Sequence, residues 1–184
     1  MTLTTILPTL RKSIPDPFRP SAWPEYTRAT TSDVIIAGVS LLRLVELCDS
    51  PCVHTADALV PGSHTKAALR RDASVVVVTV VDVVDDGGKG ERVASIDAEL
   101  GSVTAMWEET RLIGRVSTAA ARPIVLAVTG GATPGARAWV PADLTAGDRL
   151  AIPCTGTVAL HDIRRGPVSP ATTDDPPYFG ICGK

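Results

Sequence analysis

A mainly β fold, a small β-barrel or sandwich between extended N- and C-terminal arms, is predicted by three features of this 184-residue chain. Eight of the ten residues from Val75 to Val84 are valine, and β-branched side chains suit a pleated strand far better than a helix. Turn sequences such as Gly130-Gly131, Thr133-Pro134-Gly135 and Thr145-Ala146-Gly147-Asp148 separate short apolar runs in the second half, the rhythm of a barrel or sandwich. Nine of the fifteen prolines, Pro8 included, sit in the two ends, which therefore read as neither regular helix nor interior strand. Four regions follow: 1–30, a short helix and Pro-rich arm; 31–72, a strand-helix-strand unit and loop; 73–165, the β-domain; and 166–184, a Pro-rich tail.

Taken in order, Leu3, Ile6, Leu7, Leu10 and Ile14 fall near one helical face, and Pro8 kinks or restarts that helix. After the arm Ser13 to Thr30, the run Thr31 to Val39 reads as a strand. Ser40 then caps a helix from Leu41 to Cys48, whose apolar stripe is Leu41, Leu44, Val45 and Cys48. Pro51 forces an exit, Cys52 to His54 returns as a short strand, and Val60 to Asp72 is a connecting loop. The unbroken apolarity from Val75 onward predicts a strand covered on both faces. It pairs with Glu91 to Leu100 across the solvated turn Asp85 to Gly90. Further strands are expected at Val103–Trp107, Arg111–Ser117, Ile124–Val128, Ala136–Val140, Arg149–Cys154 and Thr157–Ile163. The sequence Leu144-x-x-Gly147-Asp148-x-Leu150 has the form of a small-barrel corner, with the glycine at positive φ and the aspartate bonding its own turn.

A net charge of −2 and a pI near 5.9 argue against a nucleic-acid surface. The basic doublets Arg70-Arg71 and Arg164-Arg165 read as solvated charge. No apolar run reaches membrane-spanning length, and Arg11-Lys12 follows the first apolar run instead of preceding it, against a signal peptide. The expected site of synthesis is a cytoplasm, where the four cysteines stay mostly reduced.

Candidate chemistry is sparse. Cys48, Cys52 and His54 have the residue types of a zinc site but not a standard spacing, and free packed thiols, a disulfide or a zinc-stabilised interaction module remain the alternatives. Cys154 and His161 on one expected hairpin form a poor nucleophile–base pair. Asp86-Gly87-Gly88-Lys89-Gly90 joins two strands instead of opening a helix, so it is a hairpin tip and not a phosphate loop. Trp107 and Trp139 read as core rings. No catalytic residue, cofactor site or metal site is therefore assigned.

Five of the seven aromatic residues, Phe18, Trp23, Tyr26, Tyr178 and Phe179, lie in the Pro-rich ends. Rings on extended arms must bury against something, and a neighbouring protein is the expected surface. The run Val34 to Val53 resembles the strand-helix-strand opening of diaminopimelate decarboxylase-like enzymes. Without that family's barrel or cofactor lysine, the likeness implies a shared local unit and no activity. The absence of Asn and Gln and the excess of fourteen Arg over four Lys point to a GC-rich genome. With the arm Ile14 to Pro24 and the tail Asp175-Pro-Pro-Tyr-Phe-Gly, the chain resembles β-rich structural proteins of tailed phages that infect actinobacteria. That resemblance implies a non-enzymatic virion component, a capsid-decoration or minor capsid protein or a head–tail or tail protein. Its partners would be other virion proteins and further copies of itself, with no nucleic acid or membrane. A small cytosolic enzyme or ligand-binding β-barrel is the alternative.

Overall fold

A computed structural model of the chain describes residues 2–58, 71–86, 91–128 and 135–166. Within them the order is α1 (Leu3–Ile6), a 3-10 turn (Pro8–Lys12), β1 (Thr27–Ala29), β2 (Val34–Ile36), β3 (Val39–Ser40), α2 (Leu41–Cys48), β4 (Cys52–Ala58) and β5 (Arg71–Asp86). There follow β6 (Glu91–Ile96), β7 (Ala98–Glu99), a 3-10 turn (Trp107–Glu109), β8 (Arg111–Ile113), β9 (Ala121–Val128), β10 (Ala136–Pro141), β11 (Arg149–Thr155), a 3-10 turn (Leu160–Asp162) and β12 (Arg164–Arg165).

The valine run becomes the spine, β5, which pairs β4, β6 and β11 directly. The strands lie side by side as β10-β9-β6-β5-β11-β8, and the sheet curls into a nearly closed barrel. All neighbours are antiparallel except β6 and β9, which run parallel from Val93↔Val125 to Ile96↔Val128. β5 is long enough to serve three partners. Its first half pairs β4, from Cys52↔Val77 to Ala58↔Arg71, and also β11, from Arg149↔Thr79 to Thr155↔Ala73. Its second half pairs β6 after a register shift between Val80 and Asp82.

Alternation along β5 divides the interior into two cores. Val76, Val78 and Val80 point into the barrel with Ile96, Ile124, Leu126, Val140, Leu150 and Ile152. Val75 and Val77 point outward with Ala151 and Ile113, under a second layer of Trp23, Val34, Ile36, Leu41, Val45 and Cys52. Both faces of the run are thus covered, as its composition predicts. Full burial of such a side chain contributes about 1.5–3 kcal/mol, so the spine alone anchors both layers.

The outer layer is the strand-helix-strand unit. Thr31–Val39 is not one strand but the hairpin β2–β3, because Ala37 (φ 48°) and Gly38 (φ 89°) turn the chain back. β1 joins its other edge. Ser40 caps α2 as expected, its Oγ accepting from Arg43 N at 3.0 Å. The Asp33 carboxylate reinforces that end, accepting from Leu42 N and from Ser40 Oγ. Leu41 and Val45 are buried, but Cys48 is exposed, because the last turn of the helix projects beyond the core together with Leu47.

The barrel corner forms as its sequence predicts. Gly147 takes φ 87°, Leu144 is fully buried, and Asp148 Oδ2 accepts from Thr145 N at 2.9 Å. Two expected strands do not form. Around Val103–Trp107 the chain bonds briefly to β11, with Met106 N to Pro153 O at 2.8 Å, and then tightens into the 3-10 turn Trp107–Glu109. Within Thr157–Ile163 the Asp162 carboxylate accepts from Ala159 N and closes another 3-10 turn. Arg111–Ser117 is a strand only as far as Ile113. The turn Gly130-Gly131, the hairpin tip Gly87 to Gly90 and most of the loop Val60 to Asp72 lie outside the described residues; Arg71 and Asp72 open β5. Among the described residues no helix is long and apolar enough to cross a membrane.

Candidate functional site

The N-terminal arm folds back on its own domain. Phe18 and Trp23 meet edge to face, with ring centres 6.2 Å apart and planes at 65°. The Arg111 guanidinium at the start of β8 lies over both rings, 5.5 Å and 6.0 Å from their centres, a cation–π arrangement. Arg111 also donates to the Pro17 carbonyl. Burial lowers its pKa from the ordinary arginine value, against the opposing pull of Asp16 and Glu109. Glu109 ties the arm down further. Its carboxylate accepts from Trp23 Nε1 at 3.3 Å, from Arg19 N at 3.1 Å and from Arg19 Nε at 2.7 Å.

This changes the expected role of two arm rings. Trp23 is 1% exposed, inside the outer core, so it is a structural anchor of its own fold and not a free ring for a partner. Phe18 is half-buried against the same core. Tyr26 is 77% exposed and stays available. Tyr178 and Phe179 lie outside the described residues. Trp139, expected in the core, is 58% exposed on the outer face of β10.

The first fourteen residues show the opposite surprise. Pro8 restarts the helix as expected, yet the side that touches the domain is polar: Thr4 and Arg11 are buried. Arg11 Nη1 donates to Ala119 O at 2.6 Å, and its Nε stands 2.8 Å from Asp16 Oδ2. The aliphatic stripe faces away, with Leu3 67%, Ile6 61%, Leu7 52% and Ile14 46% exposed. No pattern in the sequence announces that inversion, because the anchors of Arg11 and Arg19 are about a hundred residues distant in the chain.

Cavities accompany these surfaces among the described residues. A polar one of about 260 Å³ lies between the N-terminal segment and β8 to β10, and Arg11, Arg111, Arg115 and Glu109 help to line it. Its ionic groups are largely spent on one another: Arg115 holds Asp148 at 2.6 Å and Asp143 at 3.2 Å. The Thr110 hydroxyl on its wall is buried without a hydrogen-bond partner. A second, of about 290 Å³, lies beyond the end of α2 and contains Asp97, Ser50 and Arg149. Asp97 is 5% exposed, and burial raises its pKa although Thr79 N donates to it at 2.9 Å. The third, of about 230 Å³ and of mixed polarity, opens at the barrel end between Ile96, Leu100, Trp107 and Val128.

Among the described residues the thiols and imidazoles do not converge on a reactive centre. Cys52 and Cys154 are buried, and burial pushes their thiols up to about 11 and about 12, far from the thiolate. His161 is exposed while Cys154 is 0% exposed, so no dyad forms between them. His54 is half-buried on β4, its Nε2 lacks a partner, and burial lowers its pKa. Among the described residues no group of three or more His, Cys, Asp or Glu side chains could hold a metal ion.

No protein-family model matches the chain, and no curated protein matches it significantly in sequence.

Proposed function

We propose that the chain is a non-enzymatic structural component of a phage particle, a capsid-decoration or minor capsid protein or a head–tail or tail protein. One observation carries this reading: the aliphatic stripe Leu3, Ile6, Leu7 and Ile14 is held outward by a segment whose polar side is pinned to the domain. Four large aliphatic side chains within fourteen residues leave an apolar surface of the kind that marks a protein interface. Covering one of them contributes up to about 1.5–3 kcal/mol, so the stripe can drive assembly. The proposed contacts are therefore this stripe and Tyr26 at one end and the tail with Tyr178 and Phe179 at the other, while Trp23 stiffens the base of the arm. The partners are major capsid, portal or tail subunits and further copies of the chain.

The test is mass spectrometry of purified particles, with wild-type protein and a Leu3→Ser, Ile6→Ser, Leu7→Ser variant. Wild-type protein is expected in stoichiometric amounts, and the variant is expected to fold but to be depleted. Particles that lack the wild-type chain would refute the reading.

A second reading, a small cytosolic enzyme or ligand-binding β-barrel, is favoured by the arm folding back over a polar cavity that holds the unpartnered Thr110 hydroxyl. Calorimetric screening for small ligands, with Thr110→Val as the control, separates it from the first.

A further inference from the structure

We infer that the polar cavity between the N-terminal segment and β8 to β10 is a saccharide site, with Trp139 as the platform on which one sugar ring stacks. The inference rests on the second reading above, of the barrel as a ligand binder, and names the chemical class of the ligand. It starts from Trp139, which stands on the outer face of β10 opposite Pro123 of β9, is 58% exposed, and lines the cavity together with Pro141. Trp23 is 1% exposed and Trp107 half-buried, so Trp139 is the tryptophan whose ring a ligand reaches. β10 packs against the 3-10 turn Trp107–Glu109, which sets the strand of the exposed indole beside the turn that carries Glu108 and Glu109.

The polar groups restrict the charge of the ligand. Three arginines and four carboxylates line the cavity, so its wall has no positive excess to select a phosphate or a carboxylate. Each carboxylate is already engaged, which leaves none free for a metal ion or an ammonium group. Asp16 stands 2.8 Å from Arg11, Glu108 and Glu109 share Arg19 at 3.0 and 2.7 Å, and Asp33 accepts from Val34 N, Leu42 N and Ser40 Oγ. A neutral polar ligand is what remains, and the same pairs suit a polyol. An ion pair fixes a carboxylate oxygen and a guanidinium N–H side by side, and adjacent sugar hydroxyls, each both donor and acceptor, can bridge them. Arg111 donates to the Pro17 carbonyl and lies over Phe18 and Trp23, and its guanidinium edge keeps further N–H donors. Thr110 next to it has a buried hydroxyl without a partner. Unlike other neutral polyols, a sugar ring also has a rigid face of C–H groups, which stacks on the electron-rich face of an indole. At about 260 Å³ the cavity lies just below the usual range of ligand pockets, roughly 300–1,000 Å³, which suits one sugar ring.

The test applies purified full-length protein to an array of immobilised neutral glycans that spans the common pyranose and furanose sugars, followed by titration with the free monosaccharide of the glycan that binds. The wild type is expected to bind at least one neutral sugar. Trp139→Ala is expected to weaken that binding about tenfold or more, as for loss of an aromatic anchor, while Trp139→Tyr, which keeps an aromatic face, retains most of it. Because Trp139 is exposed, both variants are expected to melt with the wild type. A readout that needs no variant covers a Trp139→Ala protein that fails to fold: the fluorescence of the wild type, whose exposed indole is Trp139, is expected to shift to the blue as the sugar is added. A wild type that binds no neutral glycan, an emission spectrum unmoved by a bound sugar, or undiminished binding by Trp139→Ala would each overturn the proposal. Nucleosides and anionic glycans are screened in parallel. Binding confined to them overturns the sugar assignment and leaves the ligand-binding reading standing, whereas silence toward every class sinks both.

Discussion

Trp23 shows how one residue can be legible as important and misread as to why. Its position among prolines marks a ring without a regular element, but only the fold reveals that Phe18, Arg111 and Glu109 complete its surroundings. Trp23→Ala is expected to cost about 3–5 kcal/mol, the usual range for a buried ring removed from a core, measured as a lower urea midpoint. Two ionisable groups contribute to the acid limit. The Asp143 pKa is lowered: burial pushes it up, but the Ser117 hydroxyl and Arg115 outweigh that effect. A carboxylate lowered in the folded state contributes stability that is complete above its unfolded value near 3.8 and is lost as the pH falls through the folded one. His54 adds an earlier slope. Burial lowers its pKa, so charging it opposes folding once the pH drops below about 6.5. His54→Leu is expected to flatten the melting temperature as the pH falls below about 6.5, and Asp143→Asn to flatten it below about pH 4. A melting series across pH 2 to 8 checks both, and unchanged slopes would refute the assignment.

At the scale of elements, local signals with their own mechanism survive folding intact. Ser40 is an N-cap in sequence and in structure, and Ser40→Ala is expected to cost about 1 kcal/mol. Gly147 supplies the positive φ of the barrel corner. Nothing stands within 4 Å of a Cβ built there, so Gly147→Ala should cost about 1–2 kcal/mol through backbone conformation alone. Chemical denaturation of the two variants measures these losses; a Gly147→Ala protein as stable as the wild type would show that the corner tolerates another turn. The strands that fail to form, around Val103–Trp107 and Thr157–Ile163, have β-compatible composition. They are overridden by contacts with β11 and by the Asp162 turn, which depend on distant or fine local geometry.

At the scale of the molecule, β5 explains why one sheet can carry two cores. Its inward valines fill the barrel and its outward ones carry the strand-helix-strand unit with Trp23. Among the described residues the stripe from Leu3 to Ile14 then stands out as uncovered. Replacing Leu3, Ile6 and Leu7 by serine is expected to leave the thermal stability of the isolated protein within about 1 kcal/mol, as for exposed positions, while depleting it from particles. A large loss of stability would show instead that the stripe is covered by its own chain.

The β class, the two-sided valine strand, the capped helix and the glycine corner were determined by the sequence alone, because each rests on side-chain shape or backbone preference within a few residues. Which way the N-terminal stripe faces and where Trp23 goes were decided only in the tertiary structure. Both depend on pairings such as Arg11 with Ala119 and Arg19 with Glu109, and partners so far apart along a chain leave no local periodicity to read.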